Sequence, residues 1–157
     1  MQWHIVPMTK EDAHRIASWH YEAPYDFYNM DHDPEDLAEL LNPQSRKDTY
    51  FSVQSEQNEL IGFFSYRRIN SEVVEMGLGL RPDSTGKGFG SAFVRSGVTF
   101  AQTHFSATQV RLSVATFNRR AIRVYQQAGF VLEETFMHQT NGSEYEFLSM
   151  SRQIPQD

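Results

Sequence analysis

The chain has 157 residues, of which 39% are hydrophobic and 22% charged, with a formal net charge of -6 and no cysteine. That length suits one domain with one core. The acidic balance and the lack of any Lys/Arg cluster argue against a nucleic-acid-binding module, and the absence of cysteine excludes a disulfide scaffold, a thiolate zinc site and any transfer through an enzyme thiol.

Residues 1–15 lack the apolar stretch of a signal peptide. No segment approaches the roughly 20 apolar residues of a membrane span. The expected location is the cytoplasm, with neither membrane nor nucleic acid as a partner. Twelve Phe, seven Tyr and two Trp are enough to line a pocket as well as fill a core.

In chain order, residues 3–6 read as a short strand. Thr9 caps a helix with Asp12 three residues on, and Ala13, Ile16 and Ala17 form its apolar stripe. Residues 19–30 are aromatic, polar and irregular, interrupted by Pro24. Asp33-Pro34 starts a second helix, with Leu37, Leu40 and Leu41 on its buried side and Asn42-Pro43 as its stop. Residues 50–55 and 60–68 flank a polar turn and read as a hairpin, and 73–80 follow as a third strand. Residues 81–90 are a loop of turn formers leading into a helical pattern that runs to Phe105. Val110, Leu112 and Val114 alternate with Arg111 and Ser113, the mark of a half-buried strand over 109–115. Asn118 caps a helix that Gly129 ends, and residues 130–137 and 145–152 are two final strands around Thr140-Asn141-Gly142. This order predicts an α/β (α+β) fold: a mixed, mostly antiparallel sheet of about seven strands flanked by about four helices. A single domain over residues 1–153 is expected, with 154–157 as a loose tail.

The richest stretch is Gly77-Leu78-Gly79-Leu80-Arg81-Pro82-Asp83-Ser84-Thr85-Gly86-Lys87-Gly88-Phe89-Gly90-Ser91. A strand enters a glycine-rich loop that opens a helix, so successive backbone N–H groups and the positive helix end can cradle phosphate oxygens. The P-loop pattern fails, since Gly88 follows Gly86-Lys87 and Arg81 stands where its first glycine belongs. The dinucleotide pattern fails as well, with Ser91 in place of its last glycine.

Thr85-Gly86-Lys87-Gly88-Phe89-Gly90 instead resembles the coenzyme A pyrophosphate loop of the GNAT superfamily of N-acetyltransferases, Gln/Arg-x-x-Gly-x-Gly after a strand, with Thr85 in the place of Gln or Arg. Asn118-Arg119-Arg120-Ala121-Ile122-Arg123-Val124-Tyr125-Gln126-Gln127-Ala128-Gly129-Phe130 is similar to a second signature of that family, in which Asn118, Ala121, Tyr125, Gly129 and Phe130 match in order and spacing. The resemblance implies acetyl-coenzyme A held in a splay between the parallel strands at 73–80 and 109–115. It implies backbone contacts near Leu78 and Leu80 to the acetyl and pantetheine groups, and Thr85, Gly86, Lys87, Gly88, Phe89, Gly90 and Ser91 around the pyrophosphate. It also implies Asn118 on the pantetheine arm and Tyr125 as the acid for the leaving thiolate.

Glu75 is the candidate base. It shares a strand face with Gly77 and Gly79, which would leave space beside it; a water chain is the alternative. In residues 19–28 the resemblance implies an acceptor wall. Trp19, Tyr25, Asp26 and Tyr28 there suit an amine or ammonium group, the carboxylates Glu22, Asp26 and Asp31 adding negative charge. His20, His32 and His138 are too scattered to propose a metal. The function expected is acetyl transfer from acetyl-coenzyme A to a primary amine by direct attack. A non-catalytic acetyl-coenzyme A sensor is the competing reading, disfavoured because a sensor needs no acid at Tyr125. The identity of the amine and the oligomeric state stay open, with a homodimer among the options.

Overall fold

The computed structural model describes residues 3–155. The elements run β1 (His4–Pro7), α1 (Lys10–Ala17), short 3-10 turns at Tyr25–Tyr28 and Met30–His32, α2 (Pro34–Leu41), α3 (Pro43–Arg46), β2 (Tyr50–Gln54), β3 (Leu60–Arg68) and β4 (Val73–Leu80). A 3-10 turn at Pro82–Ser84 then leads to α4 (Gly90–Phe105), β5 (Gln109–Ala115), α5 (Arg119–Gln127), β6 (Val131–Thr140) and β7 (Ser143–Gln153). The strands form one seven-stranded sheet in the order β1-β2-β3-β4-β5-β7-β6. β1–β2, β2–β3 and β5–β7 are antiparallel and β4–β5 is parallel, which is the mixed sheet expected.

Five α-helices appear where about four were predicted, because Asn42-Pro43 does two jobs. It ends α2, and the Asn42 Oδ1 then accepts from the Gln44 and Ser45 N–H groups, capping α3 with Pro43 in its first turn. Proline tolerates that position because a first-turn N–H has no helical partner to lose. β6 and β7 run further toward their turn than residues 137 and 145. Asn141 (φ 53°) and Gly142 (φ 77°) adopt the left-handed conformations of a tight two-residue hairpin turn.

Two compact units divide the chain. The first comprises the chain up to Ser65 with Leu78–Thr85 and Thr140–Gly142. Its core gathers Met8, Ala13, Ile16, Leu40, Tyr50, Leu60 and Phe63, with Trp19 and Leu41 packed against them. Thr9 caps α1 through the Asp12 N–H. The buried Asp12 carboxylate accepts from the Ser52 hydroxyl at 2.9 Å. The second unit comprises Tyr66–Gly77, Gly86–Gln139 and the chain from Ser143 onward. It buries Phe93, Val94, Val98 and Ala101 of α4, Val110, Leu112 and Val114 of β5, and Met150 of β7. The Tyr66 hydroxyl donates to the Gly97 carbonyl of α4 at 2.7 Å.

The loose tail expected from residue 154 does not begin there. Ile154 is buried, and its N–H donates to the Thr108 carbonyl at 2.8 Å; an apolar side chain at that point gains more from the core than from water. Residues 156 and 157 lie outside the described residues.

Candidate active site

The parallel ladder between β4 and β5 is short. It pairs Val73 with Gln109, Val74 with Val110 and Glu75 with Arg111 and stops there, although β4 continues to Leu80 and β5 to Ala115. β5 stays paired with β7 over its full length. Among the described residues no β4–β5 pair follows Glu75 and Arg111.

The residues that enter α4 have the build of an anion cradle. Gly86 (φ +71°) and Gly88 (φ +86°) are both left-handed, and a Cβ added at either would meet nothing within 4 Å. The space in front of that backbone is open, and only glycine reaches this conformation without strain. The N-cap Phe89 supplies no side-chain hydrogen bond to the first turn of α4. No cap side chain thus competes for the first-turn N–H groups of this sixteen-residue helix, whose N-terminal end carries partial positive charge. Lys87 is exposed beside them and Ser91 half-buried. A bent pyrophosphate fits such a backbone. Gly90 has another purpose: a Cβ there would come within 3.2 Å of Val124, so this glycine lets α4 and α5 approach. The Arg95 guanidinium donates to the Gln127 carbonyl at 2.6 Å along the same seam.

Thr85 is committed elsewhere. Its N–H and its hydroxyl both donate to the Pro82 carbonyl, at 3.4 and 2.8 Å. It closes the 3-10 turn before the cradle and offers no spare donor to a phosphate.

Asn118 is buried, and its Oδ1 accepts from the Ala121 N–H at 3.1 Å as the cap of α5. On α5, Ala121, Ile122, Val124 and Tyr125 are all half-buried and none is fully covered. The Tyr125 ring lies 6.2 Å, centroid to centroid, from that of Phe130. An amphipathic helix whose apolar side stays half-covered leaves room for a ligand on that side.

Glu75 pairs with Arg67 of β3, Nη2 to Oε1 at 2.9 Å, with the Arg67 side chain exposed and Glu75 half-buried. The space expected beside Glu75 is filled at one of the two glycines: a Cβ on Gly79 would fall 2.4 Å from the Phe63 ring, so Gly79 serves core packing. Neither Arg67 nor Phe63 could be assigned from the sequence, since their positions depend on how β3 and β4 register.

In the first unit, residues 19–28 are the candidate acceptor segment, with Asp31 just beyond it. Trp19 packs against the core cluster, so its ring is at least partly structural. Tyr25, Asp26 and Phe27 are half-buried and Tyr28 is exposed, with Phe27 and Tyr28 edge to face at 5.1 Å. His20 meets Asp31 at 3.0 Å, with His32 3.9 Å from the same carboxylate. The His20 hydrogen bond foremost, with the charges of both histidines, holds Asp31 below the ordinary carboxylate value. Among the described residues no group of His, Cys, Asp or Glu is arranged to hold a metal ion. Tyr21 emerges here as a residue that sequence reasoning had not singled out: its hydroxyl donates to the Leu80 carbonyl at 2.6 Å. That carbonyl is therefore already bonded, which leaves the N–H side of Leu80 and the backbone of Leu78 for the contacts expected of this strand end.

The family pattern described as an acetyltransferase (GNAT) domain matches residues 3–131. Spermidine N(1)-acetyltransferase of Vibrio cholerae serotype O1 is 28% identical over 122 residues, covering 75% of this chain and 67% of the relative. The structure of spermidine N-acetyltransferase from Vibrio cholerae in complex with CoA and spermine superposes with a TM-score of 0.78 at 22% identity, over 97% of this chain and 95% of that one. An acetyltransferase (GNAT family) from Bacillus anthracis gives a TM-score of 0.76 at 14% identity, over 98% and 95%. With the family pattern matched over residues 3–131, the chain belongs to the GNAT acetyltransferases: it is an acyltransferase that moves the acetyl group of acetyl-coenzyme A to an amine.

Proposed function

We propose that the amine is a polyamine, with spermidine as the test acceptor, and that it attacks the thioester directly. The observation that carries the acceptor class is the segment at 19–28 with Asp31 just beyond it. This stretch carries Glu22, Asp26 and Asp31 with Trp19, Tyr25 and Tyr28, and aromatic and acidic side chains in one segment suit a chain of ammonium groups. The relative that is 28% identical over 122 residues carries the name of a spermidine acetyltransferase, which supports the same choice.

Acetyl-coenzyme A supplies the acetyl group as a thioester. Gly86, Lys87, Gly88, Phe89, Gly90 and Ser91 hold its pyrophosphate through main-chain N–H groups. Leu78 and Leu80 contact the acetyl and pantetheine portions through backbone atoms, and Asn118 lies along the pantetheine. Tyr125 donates its phenolic proton to the departing sulfur, the work of a general acid. A protonated amine must lose a proton before it attacks. Glu75 serves as that base directly or through water, and its ion pair with Arg67 must open for direct contact. Trp19, Tyr25, Asp26 and Tyr28 hold the acceptor.

The setting proposed is the cytoplasm, where a chain without cysteine has no disulfide to maintain. No helix among the described residues is long and apolar enough to cross a membrane. A second copy is proposed to pair along β6, an edge strand exposed throughout, with Val131 62%, Leu132 52% and Met137 59% accessible. Edge strands of this kind are rarely left to water, and two copies about a two-fold axis satisfy each other.

Release of free thiol from acetyl-coenzyme A in the presence of spermidine tests the acceptor. Saturable release with spermidine, exceeding that with an amino sugar or an amino acid, supports the proposal; release that prefers either of the others contradicts it.

A further inference from the structure

We propose that Tyr21 is a positioning residue that pins the acceptor segment to the outgoing end of β4, and so sets the affinity for the amine without entering the chemistry. The inference rests on the reading of residues 19–28 as the acceptor wall.

The segment needs such a device. The 3-10 turn at Tyr25–Tyr28 buries none of its residues. Burial alone leaves Tyr25, Asp26 and Tyr28 incompletely covered, and hydrogen bonds add to their placement. Tyr21 makes two. Its N–H donates to the Asn29 Oδ1 at 2.8 Å, drawing the two ends of the loop together through a buried Asn29 side chain. Its hydroxyl reaches across 59 residues of sequence to the Leu80 carbonyl at 2.6 Å. That carbonyl sits on firm backbone, because the next residue, Arg81, donates its N–H to the Ile61 carbonyl at 2.7 Å and a guanidinium N–H to the Leu60 carbonyl at 3.2 Å.

The far side of the loop has its own anchor. The Asn141 Nδ2 at the β6–β7 turn donates to the Phe27 carbonyl at 2.7 Å, and the Thr140 hydroxyl donates to Asp33 at 2.7 Å. Tyr25, Asp26 and Tyr28 hang between these fixed points. Burial raises the Tyr21 hydroxyl to about 12, so it remains a neutral donor at any physiological pH.

Tyr21→Phe keeps the ring and removes only the donor. The expected result is a rise in the KM for spermidine of about 5- to 30-fold, the weight of one buried hydrogen bond left unmade. The KM for acetyl-coenzyme A and the kcat stay within about 2-fold. Asn141→Ala moves the spermidine KM in the same direction. Amide exchange in residues 22–30, read with no acceptor present, quickens about 10-fold in both variants as the local opening energy falls. Unchanged exchange, an unchanged spermidine KM, or an equal rise in the KM for acetyl-coenzyme A overturns the proposal. Asp26→Asn and Tyr25→Ala separate it from the reading beneath it. If these raise the spermidine KM and Tyr21→Phe does not, the pin is wrong and the acceptor wall stands. If none of them moves it, the wall itself is wrong.

Discussion

Glycine serves four purposes within twelve residues of this chain and its hairpin tip. Gly86 and Gly88 are left-handed with open space before them, Gly79 yields to the Phe63 ring, Gly90 yields to Val124, and Gly142 completes a turn. The sequence singles out Gly86 and Gly88 because a strand, a glycine-rich loop and a helix in that order suit an anion, and their left-handed backbone with open space before it is compatible with that use. The packing glycines were not legible there, since Phe63 and Val124 meet them only through the register of β3 on β4 and the approach of α5 to α4. Thr85 fell in the motif by position, yet its donors both close the preceding turn. Tyr125 is singled out in the sequence by its spacing from Asn118, and it stands half-buried on α5. Tyr125→Phe is expected to lower kcat by about 100-fold, within the range for loss of a general acid. Coenzyme A affinity stays close to wild type by calorimetry. An unchanged kcat would remove Tyr125 from its role.

The caps were readable at the level of elements, because a cap is a local bargain between one side chain and one N–H. Thr9 over α1, Asp33 over α2 and Asn118 over α5 all hold as expected. α3 escaped notice because a proline that ends one helix is indistinguishable in sequence from a proline that starts the next. Asp33 does more than cap. It accepts from the Asp36 N–H at 3.2 Å and from the Thr140 hydroxyl at 2.7 Å, so α2 and the β6–β7 turn share one carboxylate. Burial works to raise its pKa, but the Thr140 and backbone N–H hydrogen bonds outweigh it and leave the group below its ordinary 3.8. A depressed folded value means that the stabilisation is fully present above 3.8 and is lost as pH falls through the lower folded value. Asp33→Ala is therefore expected to cost about 1 kcal/mol at neutral pH in urea unfolding. The difference from wild type shrinks in acid below the ordinary carboxylate value. A difference that persists undiminished there would show that the carboxylate charge is not what Thr140 and α2 depend on.

At the scale of the whole molecule, the mixed sheet followed from the runs of strands around a central strand-helix-strand unit, the parallel pair at β4 and β5 was implied by the family resemblance, and the order of strands within the sheet was not legible in the sequence. The anchoring of residues 19–33 was not legible either, because it joins Tyr21 to Leu80 and Phe27 to Asn141 over separations that no local pattern records. β6 exposes Val131, Leu132, Phe136 and Met137, and light scattering is expected to give twice the chain mass of 18.2 kDa. A single-chain mass would leave that edge without the partner proposed for it. Cofactor binding is proposed to depend on main-chain amides gripping a pyrophosphate where α4 begins. Amide resonances followed during titration with coenzyme A test this most directly. The largest shifts are expected at Gly86, Gly88, Gly90 and Ser91, and Gly88→Val, which places a branched side chain at φ +86°, is expected to abolish them. Saturable binding that leaves those four amides unmoved would contradict the account.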